Sequence, residues 1–314
     1  MKFLRYSADY RTLFAVALYF AVAICSWVYW NEVHWTVNVL MVVVNCVMSF
    51  LCAVIVHNTV HVPIFYSTNA NKLFQIVLSF TYGHPVTAFV PGHNFSHHKY
   101  TQTLKDSQRT SKMRFKINFF NQLLYAFVMA NDVLSAELRF AKKMYKEKPK
   151  WFWQYAIELG LVLGIKAILL IVDWQKFIFL VLIPHQYAVW GVLGTNYFQH
   201  DGCDETHPYN HSRSFSGNWL NAIMFNNGYH GAHHMKPGLH WSKLPQFHEE
   251  NIRPYLHPNL DLVSLPAYLW KATIWPGKRL DYLGNPVVLA PKQADEDWIE
   301  EIKVAKYEDD LAAA

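Results

Sequence analysis

The chain has 314 residues, of which 52% are hydrophobic, 16% aromatic and only 16% charged, with a formal net charge of +5. A soluble domain carries about 25% charged residues, so an ordinary soluble enzyme is excluded, and the mild positive charge gives no reason to expect a nucleic-acid partner. Cys25, Cys46 and Cys52 lie in apolar runs and Cys203 stands alone, which argues against both a disulfide framework and a thiolate zinc site.

Taken in chain order, four stretches are long and apolar enough to cross a bilayer: Leu13–Trp30, Thr36–Val56, Trp151–Val172 and Phe177–Phe198. The first contains Ala21-Val22-Ala23, which mimics a signal-peptide cleavage site. The apolar run continues through it to Trp30, so a retained anchor is expected. The third span carries Glu158 and Lys166 and the fourth Pro184 and His185, so both are expected to pack against protein as well as lipid. A fifth apolar run, Leu73–Val90, is interrupted by Gly83, His84 and Pro85 and reads as a re-entrant or interfacial segment.

Charge orients these spans. Lys2, Arg5 and Arg11 precede the first, no Lys or Arg separates the first from the second, and residues 99–150 hold twelve Lys and Arg against four acids. The positive-inside rule then puts the N-terminus, residues 57–150 and the region after 198 in the cytoplasm. The expected fold is an all-α integral membrane protein: two transmembrane helical hairpins, four spans in all, under a cytoplasmic helical cap. A single domain is expected, its core covering about residues 10–260 and residues 261–314 forming a cytoplasmic tail. The acidic end from Asp295 to Asp310, with eight acids and two lysines, reads as a solvated helix or a disordered segment.

Histidines gather in three groups. His57 and His61 stand at i, i+4 just after the second span, and His93, His97 and His98 follow the fifth apolar run. His230, His233 and His234 stand at i, i+3 and i+4, sharing one face of a helix. His200 ends the fourth span. On the predicted topology all nine fall on one side of the membrane, as a single site requires. Divided as four and five around two metals, they leave coordination positions free. Without thiolates, structural zinc and iron–sulfur are disfavoured, and imidazole ligands with oxygen chemistry point to non-haem iron. Asp106, Asp201, Asp204, Glu205, Glu249 and Glu250 are near enough in sequence to orient the rings. His34, His185, His248 and His257 read as structural or surface residues, while His84, His207, His211 and His240 remain open. Asn226-Asn227-Gly228 reads as a turn rather than as ligands to a metal-bound water.

With H-x-x-x-H, H-x-x-x-H-H and H-x-x-H-H in this order through two hairpins, residues 10–260 resemble the membrane fatty acid desaturase superfamily. The resemblance implies an O2-dependent oxidoreductase with two non-haem iron ions, whose metal ligands here are His57, His61, His93, His97, His98, His230, His233 and His234, with His200 as the additional ligand after the last span. No catalytic residue beyond these ligands is implied. The segment Asn196–Gly202 is also similar to one in the integral-membrane alkane hydroxylases, where a Glu stands at the place of Gln199. The implied activity is desaturation of a fatty acyl or lipid chain, with hydroxylation of an alkane or lipid as the alternative. Expected partners are the membrane lipid or acyl substrate and a separate electron carrier of ferredoxin, rubredoxin or cytochrome b5 type. The basic segment 99–150 is expected to meet anionic headgroups, at about 1 kcal/mol per Lys or Arg, or an acidic carrier or acyl headgroup.

Overall fold

The computed structural model describes residues 3–302. In chain order the helices are α1 Asp9–Tyr29, α2 Trp35–Thr59, α3 Thr68–Tyr82, α4 Val86–Val90, α5 His98–Tyr100, α6 Asn118–Glu147 and α7 Pro149–Val172. They continue with α8 Trp174–Phe177, α9 Ile183–His200, α10 Asn218–Ile223, α11 His230–Met235, α12 Leu244–Asn251 and α13 Leu265–Leu269. Two-residue strands β1 Ser214–Phe215 and β2 Asp261–Leu262 pair in parallel. The chain forms two compact units: Met1–Val90 with Ala141–Val192, and Pro91–Phe140 with Leu193–Ala314.

Four helical segments are long and apolar enough to cross a membrane: Asp9–Tyr29, Trp35–Thr59, Pro149–Val172 and Trp174–His200. The all-α membrane architecture expected from the sequence is therefore present. Each helix begins before the expected apolar stretch, because hydrogen bonding continues past the residues that hydropathy selects. The α7 surface is apolar outward: Ile157, Leu161, Leu163, Ile168, Leu170 and Ile171 are all exposed. An exposed apolar stripe of this length is what lipid contact requires.

Polar side chains within the first unit turn inward. Glu158 is fully buried and accepts from the backbone N–H of Thr87 at 2.8 Å, the Thr87 hydroxyl at 2.9 Å and Gln154 Nε2 at 2.7 Å. Lys166 Nζ donates to the Gly83 carbonyl at 2.7 Å, and buried His185 lies 3.3 Å from the Tyr19 hydroxyl. These contacts tie α9 to α1 and α7 to the break in the fifth apolar run. That run is not one straight helix: α3 ends at Gly83, which is left-handed at φ 75°, and α4 starts after Pro85. A Cβ on Gly83 would sit 2.2 Å from the His185 ring, so the break needs glycine for space as well as conformation. The bent pair is either a broken span or a re-entrant loop.

The second unit has its own core. Met113, Tyr125, Met129, Tyr197, Phe198 and Phe215 pack together. The Tyr197 hydroxyl lies 2.8 Å from Asn118 Oδ1 and 3.0 Å from Asp201 Oδ2, with one proton to share between them, and Arg279 Nε reaches both Asp201 oxygens at 3.0 Å. The acidic end departs from expectation where it is described. Trp298, Ile299 and Ile302 are buried, and Asp295, Asp297 and Glu301 pair with Arg109, Lys112, Arg139 and Lys105. Apolar anchors between the acids hold the segment down, which net charge could not reveal. Residues 303–310 of the acidic end lie outside the described residues.

Candidate metal centre

The second histidine group does not sit on an ordinary α-helix. Pro91–His97 is a π-helix that opens with Pro91 and Gly92 and runs into α5. Such wide turns concentrate at functional sites. Here the turn brings His93 and His98, five residues apart, to an Nε2–Nε2 distance of 3.1 Å. His233 Nε2 lies 3.0 Å from His98 Nε2. His97 points elsewhere, toward His200, His230 and His234, and one nitrogen from each of these four lies within 4.8 Å of the others.

The third group is divided in the same way. On α11, His230 and His234 are one turn apart and share the face that meets His200, whereas His233 faces His98. Neighbouring histidines in sequence thus serve different clusters. The loop before α11 is set by tight packing. Asn226 has φ 59°, and a Cβ on Gly228 would lie 2.2 Å from the Phe215 carbonyl oxygen and 2.6 Å from Asn221 Oδ1. Asn226 donates to the Trp241 carbonyl and Asn227 to the Met224 carbonyl, so this triplet builds the turn.

The four-histidine cluster could hold a metal ion. His97 Nδ1 lies 2.9 Å from Asp106 Oδ2 with both side chains wholly buried, so in the neutral ring Nδ1 carries the proton and Nε2 presents a lone pair. That Nε2 is buried with no hydrogen-bond partner among the described residues. An orphaned buried nitrogen is costly unless something binds it. His200 Nδ1 faces the His211 carbonyl at 3.1 Å, which leaves its Nε2 also a lone pair, 2.8 Å from His230 Nε2 and 3.2 Å from His234 Nε2. Imidazole–metal bonds of about 2.0–2.1 Å put the nitrogens of neighbouring ligands roughly 3.0–3.4 Å apart. The 3.2 Å between His200 and His234 falls in this range, and the 2.8 Å between His200 and His230 lies just below it. Burial, and then the neighbouring His98, His230, His200 and His97, hold His234 well below the usual histidine range, in the neutral form a ligand needs.

Asp106 is the carboxylate that orients a ring. Burial alone pushes it up, but His97 and the backbone N–H groups of Gln102 and Gln108 outweigh burial and hold it below the usual carboxylate range. The other acids proposed near the clusters bind elsewhere: Asp201 to Arg279, Asp204 to Thr206, Glu249 to Arg253 and Glu250 to Gln246, while Glu205 is exposed. His240 and His207 accept backbone N–H bonds in local turns, at Ser242 and at Tyr209 and Asn210, as do His34 and His257 at helix starts. His84 packs against the Tyr82 ring. The ring of His211 lies 5.8 Å from that of His234, and burial, then His207 and His97, lower its pKa to about 4. Its carbonyl supports His200, a role that every residue's backbone is equipped for and no sequence signal marks. Thr101, also unforeseen, places its hydroxyl 3.5 Å from His234 Nδ1. His57 and His61 belong to the other compact unit, at the end of α2, buried and with ring centres 5.5 Å apart.

Four membrane-length helices together with these converging imidazoles define a helical membrane protein with a histidine centre that could hold metal. The chain matches the fatty acid desaturase family over residues 33–264, and it belongs to that family. Membership makes it an oxidoreductase of desaturase or oxygenase type. None of the curated proteins compared matches the chain.

Proposed function

We propose that the protein is a membrane-bound fatty acyl or lipid desaturase, introducing a double bond into an alkyl chain with O2 and two electrons at a histidine-ligated di-iron centre. The observation that carries this reading is the His97, His200, His230 and His234 cluster, with a buried orphan nitrogen on His97 and lone pairs directed inward. In this reading these four hold one iron. The other belongs to the remaining box histidines, among which His93, His98 and His233 lie together; the resemblance implies His57 and His61 as further ligands. The donor set suits iron, being all imidazole with no thiolate.

When bound, the two irons supply the O2-derived oxidant that an unactivated methylene requires and that no side-chain acid or base provides. The chain's own residues hold and shield. Asp106 and the His211 carbonyl lock two rings by their Nδ1 protons, and burial keeps water from the nitrogens. The substrate is a membrane lipid or acyl chain entering from the bilayer, and electrons come from a separate carrier protein. The charge distribution supports a cytoplasmic location for the N-terminus, the boxes and the C-terminus.

Hydroxylation of an alkane or lipid on the same scaffold is the second reading, favoured by the likeness of Asn196–Gly202 to the alkane hydroxylases. Purified protein is expected to carry two irons per chain, and zinc alone would refute the reading. Lipids from expressing cells then separate the two activities by mass: desaturation removes two hydrogens, whereas hydroxylation adds one oxygen. His97→Ala and His234→Ala are each expected to lose iron and turnover.

A further inference from the structure

The described end of the acidic segment lies across the loop that carries Asp106. On one side of Asp106, Lys105 pairs with Glu301, which also accepts from the Tyr100 hydroxyl at 2.6 Å. On the other side, Arg109 pairs with Asp295 and donates through Nη2 to the Gln293 carbonyl at 3.0 Å. Lys112 Nζ reaches the same Asp295 at 2.5 Å. Between these pairs the backbone N–H of Glu296 donates to the Leu104 carbonyl at 3.0 Å. Trp298 is 3% exposed and stacks on Phe140, which in turn packs on Phe95 within the π-helix. The loop itself is bound to that π-helix, with the Ser96 hydroxyl donating to the Lys105 carbonyl at 2.8 Å and accepting from the Ser107 N–H at 3.0 Å.

We propose that residues 293–302 form a strap that positions His97 for its metal by clamping loop 101–112, and with it Asp106, against the π-helix. The inference rests on the metal reading above. Its geometry is specific: the strap grips the residues at −1 and +3 from Asp106, while its aromatic anchor bears, through Phe140 of α6, on the helix that carries His97. Asp106 accepts three hydrogen bonds, two of them from its own loop, so it stays on His97 Nδ1 only while the loop keeps its shape. The strap also occupies Lys105, Arg109 and Lys112, basic groups that the sequence offered to lipid or to an acidic partner. Several of its ion pairs are half-exposed and therefore salt-sensitive, since screening shortens to about 3 Å at 1 M salt.

The test compares Trp298→Ala, Trp298→Phe, Asp295→Asn and Asp295→Glu in the full-length, iron-loaded protein. Two quantities are read: release of iron to a chelator over time, and amide hydrogen exchange of residues 99–112. Trp298→Ala and Asp295→Asn are expected to speed exchange in the loop and to accelerate release of one iron by about tenfold, the lower range for lost ligand support. The other iron is expected to leave at its original rate. Trp298→Phe and Asp295→Glu should restore most of the retention. A strap with a merely structural role would loosen both irons together or neither, and either result overturns the proposal, as does faster loop exchange with unchanged iron release. Wild-type protein that binds no iron refutes the metal reading itself, whatever the variants do.

Discussion

Replacing Asp106 by Asn removes one oxygen from a carboxylate whose two oxygens both accept hydrogen bonds. Oδ2 accepts from His97 Nδ1 at 2.9 Å and from the Gln102 N–H at 2.9 Å, and Oδ1 accepts from the Gln108 N–H at 2.8 Å. The amide NH2 must take one of these places. At the Oδ2 position it opposes two donors and at the Oδ1 position one, so the favoured orientation keeps the oxygen on His97 and leaves the Gln108 N–H facing a donor. An orphaned buried donor costs about 1–3 kcal/mol, and the remaining bond to His97 loses its charge assistance, roughly half its strength. Loss of a ligand's supporting partner lowers metal affinity by about 10–100-fold. Asp106→Asn is therefore expected to weaken one iron by at least about tenfold, or about 1.4 kcal/mol, in a chelator competition. Asp106→Ala, which frees Nδ1 altogether, should be worse. Iron affinity unchanged in Asp106→Asn would refute the assignment of Asp106 as the group that orients His97.

Three further outcomes follow from packing and charge. Gly228→Ala puts a methyl 2.2 Å from the Phe215 carbonyl oxygen, which Asn221 already holds at 2.7 Å; overpacking of about 1–3 kcal/mol should lower the melting temperature, and iron retention should fall with it because α11 begins two residues later. Glu158→Ala strands the buried Thr87 N–H, at about 1–3 kcal/mol, so thermal unfolding should come earlier, with Glu158→Gln intermediate; equal stability of all three would refute the role of Glu158 as a tie between α7 and α4. Burial raises the Asp261 carboxyl, but His248, Ser216 and Arg253 outweigh burial and bring it to about 2. Because the folded value lies below the ordinary one, this stabilisation is complete above pH of about 4 and lost as pH falls toward about 2. Asp261→Asn should therefore melt earlier at neutral pH, the gap to wild type closing in that acid window; a gap independent of pH would refute the assignment.

Much of the architecture was legible because its signals are local. Span length and apolarity mark a bilayer helix wherever it packs, and the box spacings identify the imidazoles and the family. The inward placement of Glu158, Lys166 and His185 was equally foreseeable, since ionisable groups in a span avoid lipid. Local spacing was misleading at the second box, where i, i+4 implies a shared α-helical face. The π-helix opened by Pro91 and Gly92 instead sends His97 to one cluster and joins His93 with His98.

The sequence by itself therefore determined which imidazoles are candidates for holding a metal and that the chain has the helices of a membrane protein, because both depend on side-chain chemistry and short-range periodicity. Only the tertiary structure decided that His97 joins His200, His230 and His234, that Asp106 is the supporting carboxylate among six near the boxes, and that the acidic end is packed where it is described. Each of these depends on contacts between residues far apart in the chain. Asp295 and Arg109 meet across 186 positions and His97 and His234 across more than a hundred, and no local pattern encodes such a meeting.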